Sequence, residues 1–387
     1  PPVYRFTDDL VEQEEWGLMA STTPTEAGPE KKRTRPSLRK KLLAVAIAFL
    51  VSLLLGEGML RLVGIQPLYV NPEQGTFWRY HSRLGWHHRP GQSGRFAKEQ
   101  FDTSVEINQH GLRDRDYPLE RVEGMERVLV LGDSFTWGFG VEQEQIFTEV
   151  IEKSKQDVEV INAGVSGYSP DQELIWLREQ GMRFQPDLVL LVLSGNDVWG
   201  NHQEVISFVY GKPRYRLDAG GVLQLGNVPV PKPRTSVSLR HWLRQRSSIA
   251  QLLISALERW RYRMSSSDEP AVVKSAGKVQ RQPFPLTLAL IREIEQVAAA
   301  GGARLAIVTN SIYWAPWPDG DYGDFVDELR QAGHLVLDID SLPGYEKSRL
   351  QIRGDRRWNV EGHQLVGRGI HAWLKENQML DPPQVTR

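Results

Sequence analysis

A serine stands where an apolar run turns into helix-like text: RVLVLGDSFTWGFGV, residues 127–141, passes through Gly132 and Asp133 to Ser134. Two more apolar runs end in similarly polar text, at NAGVSGYS (162–169) and at SGND (194–197). A single serine at a helix start is more often a cap than a nucleophile. Three strand ends that collect Asp, Ser, Asn and Gly say more, because buried sheet edges do not normally gather such residues. Acyl transfer needs a nucleophilic oxygen and donors aimed at the oxyanion that develops. Ser134 offers the oxygen. The backbone N–H groups of Ser134 and Gly164 and the side-chain amide of Asn196 are the candidate donors, with glycine suiting position 164 because a side chain there would crowd a ligand. Asp133 and Asp197 read as acceptors of backbone hydrogen bonds at loop starts.

The elements that position these residues follow a regular α/β rhythm from residue 126. The spacing predicts strands at 127–133, 158–164, 187–197, 303–310 and 334–340. It predicts helices at 144–155, 170–181, 286–302, near 321–333 and at 361–377. Five apolar strands alternating with helices imply a doubly wound parallel sheet with helices on both faces. In such folds functional residues sit at the C-terminal ends of strands, where all three polar stretches fall. Residues 198–283 interrupt the rhythm and read as an insertion with a hairpin, one amphipathic helix and a polar loop. Residues 65–125, rich in Gly, Pro, Trp and His, read as a lead-in that wraps the core and supplies an edge element.

The blocks GDSFTWG, NAGVSGYS and SGND resemble, in order and spacing, those of the SGNH hydrolases, the GDSL-like lipase/esterase superfamily. HHRPG…VEINQHGLRDRDYP (87–118) is similar to the lead-in of membrane-anchored bacterial members. The resemblance implies a three-layer α/β/α, flavodoxin-like domain over 126–387. It also implies Ser134 as nucleophile with Gly164 and Asn196 as oxyanion donors. Two positions depart from the family. Ser194 stands where the third block usually has glycine, and the last block reads IRGDRRWNVEGHQLVG (352–367). Aligning its WN and EGH puts Arg357 in the catalytic histidine's slot and Asp355 one residue late. A guanidinium stays protonated at neutral pH and cannot serve as general base. His363 is the nearest replacement, although the start of a closing helix suits a packing role better. His371 lies deeper in that helix, His334 begins a strand at the opposite end of the sheet, and His87, His88 and His110 belong to the lead-in. Arg357 is expected to pair with Asp133, Asp197 or Asp355, or to hold an anionic group. Trp137, Tyr168, Trp199, Trp314 and Trp317 line a carbohydrate or acyl site or, on the plainer reading, wedge layers together.

The 387 residues carry a formal net charge of -1 and no cysteine. That balance offers no general attraction for nucleic acid, and the composition excludes disulfides, thiolate catalysis and cysteine metal sites. No metal motif and no cofactor signature is present. Because the chain opens on Pro1, processing or truncation at the N-terminus is expected. Residues 1–41 read as a flexible cytoplasmic tail, acidic at 12–15 and basic at 31–41. Residues 42–64 read as a single transmembrane helix in the lipid bilayer. The basic cluster keeps the tail inside a bacterial inner membrane and sends the rest outward. Three roles follow: a catalytically impaired accessory subunit of a membrane complex, a serine esterase or O-acyltransferase acting on acyl esters of envelope glycans or lipids, or a glycan-binding module. A free base about 2.6–3.2 Å from the Ser134 hydroxyl would favour catalysis; a guanidinium in that space would oppose it.

Overall fold

The computed structural model describes residues 37–63, 77–98, 100–204, 211–232, 243, 246–265, 284–314 and 321–380. The expected tail up to residue 36, the start of the lead-in, the polar loop at 266–283 and Trp317 lie outside them. The chain divides into two compact units, Pro1–Gly58 and Met59–Arg387.

Helix α1 (Leu38–Leu62) runs over 25 residues, none of them buried. At 1.5 Å per residue it is about 37 Å long, enough to cross the apolar thickness of a bilayer. It is the one helix among the described residues with the length and composition for that.

The larger unit begins with two antiparallel hairpins. Strands β1 (Trp78–His81) and β2 (Gly85–His88) pair with Trp78 opposite His88, and β3 (Ser93–Lys98) and β4 (Phe101–Glu106) pair with Lys98 opposite Phe101. The central strands follow as β5 (Glu126–Leu131), β6 (Val158–Asn162) and β7 (Leu188–Leu193). A further hairpin, β8 (Arg214–Leu217) with β9 (Leu223–Gly226), precedes β10 (Arg304–Thr309) and β11 (Val336–Asp338). The helices are α2 (Ser134–Trp137), α3 (Phe147–Lys153), α4 (Pro170–Glu179), α5 (Gly195–Gly200) and α6 (Ser248–Ser265). They continue as α7 (Pro285–Ala300), α8 (Tyr322–Gln331), α9 (Lys347–Leu350) and α10 (Val360–Glu376).

The central sheet is all parallel in the order β11-β10-β7-β5-β6. Every residue of β5, β6 and β7 is buried, which is why these strands read as continuous apolar runs rather than alternating ones. The two-residue period still sorts their side chains. Leu129, Leu131, Val189 and Leu191 face α4 and α7, while Val128, Val130, Leu190 and Val192 face α3 and α10. The chain leaves β5 first for β6 and later for β7 on the other side, so the C-terminal ends of β5 and β7 form the crevice at the switch point.

Among the described residues the lead-in supplies no edge to this sheet. Its strands keep to their own two-stranded ribbons, and it covers the core with aromatic side chains instead: Trp78, Trp86 and Phe96 are buried in the cluster that faces α4 and α7. Antiparallel hairpins with one buried side can close locally, whereas joining a parallel edge would require a long crossover.

Candidate active site

Ser134 opens α2 directly after the end of β5, and its side chain is buried. Three local devices place it. Asp133 caps the helix by accepting from the Phe135 N–H at 2.9 Å. Gly132 leaves room for the turn, since a Cβ there would lie 2.2 Å from Thr136 Oγ1. Gly138, at φ +78, ends the helix in the left-handed region.

The Ser134 hydroxyl accepts a hydrogen bond from Arg357 Nε at 2.7 Å. Behind it, Arg357 Nη1 donates to both oxygens of Asp355, at 3.1 and 2.9 Å, and the Arg357 N–H donates to Asp355 Oδ1 at 3.0 Å. The guanidinium carbon lies 4.0 Å from the centre of the Phe139 ring and 5.7 Å from that of Tyr313. This is the outline of a serine–base–carboxylate relay with a permanent cation in the middle position. Of the partners expected for Arg357, Asp355 takes the bidentate role despite standing only two residues away. Asp133 is close enough for its charge to be felt. Burial raises its pKa, while the Phe135 N–H, the Asn196 amide, the Arg357 charge and the Ser134 hydroxyl pull it back down.

Asn196, after β7, donates from Nδ2 to Asp133 Oδ2 at 2.8 Å and accepts from Ser194 Oγ at 2.6 Å. One amide proton is thus spoken for and one remains. Ser194, which stands in place of the family's glycine, starts α5 through a reciprocal cap. Its N–H donates to Asp197 Oδ2 at 2.7 Å, and this is the structural work done by Asp197.

Gly164 is not built as an oxyanion donor here. Its N–H donates to Asn162 Oδ1 at 3.0 Å, and an added Cβ would lie 2.5 Å from the Trp137 nitrogen. The glycine is needed against the backbone of α2, not against a ligand. The same loop offers Gly167 instead, at φ +83. Gly167 is partly exposed among buried neighbours, and among the described residues its N–H makes no hydrogen bond. That makes it a further candidate donor beside the Ser134 N–H and the Asn196 amide.

His363 is a core residue. Its ring stacks on Phe147 with an interplanar angle of 5°, packs edge-on against Trp358, and accepts from the Phe147 N–H at 3.3 Å. The surrounding text of the last block is structural as well. Trp358 is fully buried, Asn359 caps α10 by accepting from the Gly362 N–H at 2.8 Å, and a Cβ on Gly362 would lie 2.4 Å from the Leu350 carbonyl oxygen. Trp137 and Tyr168 are likewise core rather than pocket lining; Trp314 packs on Phe284 and Phe325, and Trp199 is exposed.

The lead-in braces the site with residues that the sequence reading passed over. Arg113 is fully buried and donates to the carbonyls of Trp137, Gly138 and Val141, the turn behind the nucleophile. Asp114 accepts from the Asn162 N–H at 2.7 Å. Trp86 donates to the Ser166 carbonyl at 3.1 Å, and the Tyr168 hydroxyl donates to the Trp86 carbonyl at 2.6 Å. A charged pair within GLRDRD was the visible signal, because such a run in an otherwise loop-like stretch has to point somewhere. His87 and His88 are buried in the same strap, on Tyr168 and on the Gly111 carbonyl. Burial pulls the His88 pKa down to about 4.

A parallel sheet with order β11-β10-β7-β5-β6, a serine after its first strand and an Asn–Asp after its third define a serine acylhydrolase fold. The chain belongs to the GDSL-like Lipase/Acylhydrolase family, which matches residues 130–363, more than half of its length. No curated protein matches it. Solved structures similar to it include the psychrotrophic esterase EstA from Pseudoalteromonas sp., at 15% identity and TM-score 0.37, covering 66% of this chain and 99% of that one. A lipolytic protein of the G-D-S-L family from Desulfitobacterium hafniense DCB-2 has 13% identity and TM-score 0.36, covering 64% and 99%. The lipase/acylhydrolase from Enterococcus faecalis has 13% identity and TM-score 0.34, covering 67% and 100%. At such values these likenesses carry nothing about substrate.

Proposed function

We propose that this protein is a membrane-anchored acyl-ester hydrolase or O-acyltransferase of low turnover, acting on short acyl esters of the cell envelope. The family match favours ester chemistry over a purely accessory role. The observation that sets the rate is the 2.7 Å hydrogen bond from Arg357 Nε to Ser134 Oγ. A guanidinium at that point stabilises a developing alkoxide but takes no proton. The hydroxyl proton would pass to the adjacent Asp133 carboxylate, which burial makes more basic. Ser134 would attack the ester carbonyl while the Ser134 N–H, the Gly167 N–H and the Asn196 amide hold its oxygen. Histidine in this role contributes roughly 10²–10⁴-fold, so its absence leaves a slow enzyme.

The test is hydrolysis of 4-nitrophenyl acetate by the full chain in detergent micelles. The expected result is a weak rate that Ser134→Ala removes and that Arg357→His raises by about 10²-fold or more. Asp355 is already placed to orient the new imidazole. Identical rates for the native protein and Ser134→Ala, with no gain from Arg357→His, would sink the reading. A second reading, the accessory subunit without turnover, rests on the same arginine and would then stand.

A further inference from the structure

Lys98, the last residue of β3, reaches the same aromatic ring as the arginine bonded to the serine. Its ammonium lies 4.4 Å from the centre of the Phe139 ring, the ring that also carries the Arg357 guanidinium at 4.0 Å. Arg356 stands 5.8 Å from the centre of the Tyr313 ring, whose hydroxyl reaches Asp355. Three cations therefore surround two rings beside the nucleophile. Among the described residues the ion pairing of this group is confined to Asp355, which is committed to Arg357. Lys98 has its pKa lowered, by burial first and by the Arg357 charge second, with Asp355 offsetting part of this. Lys98 and Arg357, both partly buried, repel, and a ligand anion that also reaches the exposed Arg356 relieves the repulsion.

The chemistry of the acyl group is also constrained. Outside α1, the exposed large apolar side chains among the described residues include Leu252, Leu253 and Leu257 on α6 and Val222 and Leu225 beside the β8–β9 turn. The side chains hydrogen-bonded to Ser134 and Arg357 are polar, and the rings beside them, Phe139 and Tyr313, are already covered by the Arg357 guanidinium. A long acyl chain would need an apolar trough beside the serine; a short acyl group on a polar acceptor does not.

We propose that the acyl ester taken at Ser134 is carried by an acidic glycan, whose carboxylate or phosphate is held by Lys98 and Arg356 within one or two sugar units of the ester. Arg357, with one nitrogen on the serine and one on Asp355, supplies the shared edge of the two subsites. This deepens the ester reading above and rests on it.

Binding is measured on full-length Ser134→Ala protein in detergent, so that turnover plays no part. The probes are an O-acetylated oligogalacturonide, a phosphorylated acetylated oligosaccharide and an O-acetylated xylo-oligosaccharide of equal length. The acidic probes are expected to bind at least about tenfold more tightly at low ionic strength, with the gap closing at about 0.5 M salt. Which acidic probe binds more tightly distinguishes carboxylate from phosphate. Lys98→Gln and Arg356→Gln should each weaken the acidic probes several-fold and leave the neutral one nearly unchanged, with thermal unfolding of each variant confirming an intact fold. Equal affinity for acidic and neutral probes overturns the inference, even if Ser134-dependent hydrolysis of 4-nitrophenyl acetate is found. An anionic lysophospholipid that binds with the same Lys98 dependence, where the glycans do not, overturns the assignment to a glycan. If hydrolysis is absent but the acidic preference holds, the anion subsite survives as a binding site and only the ester reading falls.

Discussion

His363 sits one turn into α10 with its ring stacked on Phe147, and burial pulls its pKa from 6.5 down to about 3. It is neutral in the folded chain at any pH above that value, whereas in the unfolded chain it takes up a proton below about 6.5. The unfolded state then binds more protons, so stability falls as pH drops through this window. At about 1.4 kcal/mol per pH unit, the cost of this one residue between pH 7 and pH 5 is about 2 kcal/mol. His363→Gln should be less stable than the native protein at pH 7 yet lose less stability on going to pH 5. Denaturant unfolding at both pH values reads the difference, and parallel losses would show that His363 does not titrate this way. The same residue shows what single letters reveal. Ser134 and Asn196 stood out because polar residues at strand ends need partners, and here Ser134 accepts from Arg357 while Asn196 donates to Asp133. Gly164 was not legible. A glycine announces a close approach without saying from which side, and here the approach comes from the backbone of Thr136 and Trp137.

Among the elements, the hairpin strap decides how rigid the site is. Trp86 in β2 is buried and donates to the Ser166 carbonyl, while its own carbonyl accepts from Tyr168. Gln172 in α4 adds a bond to the Leu84 carbonyl at 2.8 Å. The loop 162–169, which carries Gly167, is thereby tied to a segment that precedes it by about eighty positions in the chain. Trp86→Ala removes both the packing and the donor, and core truncations of this size cost about 3–5 kcal/mol. A large fall in unfolding temperature is expected, along with a larger loss of ester hydrolysis than of unfolding temperature would explain at the assay temperature. Trp86→Phe should recover most of the stability and little of the Ser166 bond. If Trp86→Phe hydrolyses as fast as the native protein, the strap only packs. The central strands were legible at this scale because residues buried on both faces read as apolar runs, and the β5–β7 crevice followed from their number and polar ends. The lead-in was read as wrapping the core and supplying an edge element, and its described strands pair only with each other. Its Trp, His and Gly content gave no period, and the pairing that organises it, Trp78 with His88 and Lys98 with Phe101, is a matter of turn geometry rather than apolar pattern.

For the molecule as a whole, α1 bears on which compartment the GDSL-like domain meets. Its 25 residues expose Leu42, Leu43, Phe49, Leu54 and Leu55, none of them buried among the described residues, and apolar surface of that extent is stable only in lipid or against another apolar partner. The basic run KKRTRPSLRKK at 31–41 lies immediately before its apolar stretch, and such runs are retained on the cytoplasmic side. The expected arrangement is therefore residues 1–41 inside and residues 65–387 outside. In membranes of cells expressing the full chain, the protein should stay in the pellet through an alkaline carbonate wash, and deletion of residues 1–64 should release it. Protease added to spheroplasts should digest the C-terminal domain while an epitope placed at the N-terminus survives until the membrane is opened. Survival of the C-terminal domain would reverse the orientation and remove envelope esters from its reach. Release of the full chain by carbonate would mean that α1 covers its leucines against protein instead of lipid. Replacing the basic residues of 31–41 with neutral ones tests the cause directly, because it should increase the fraction inserted the other way round while leaving retention in the pellet unchanged.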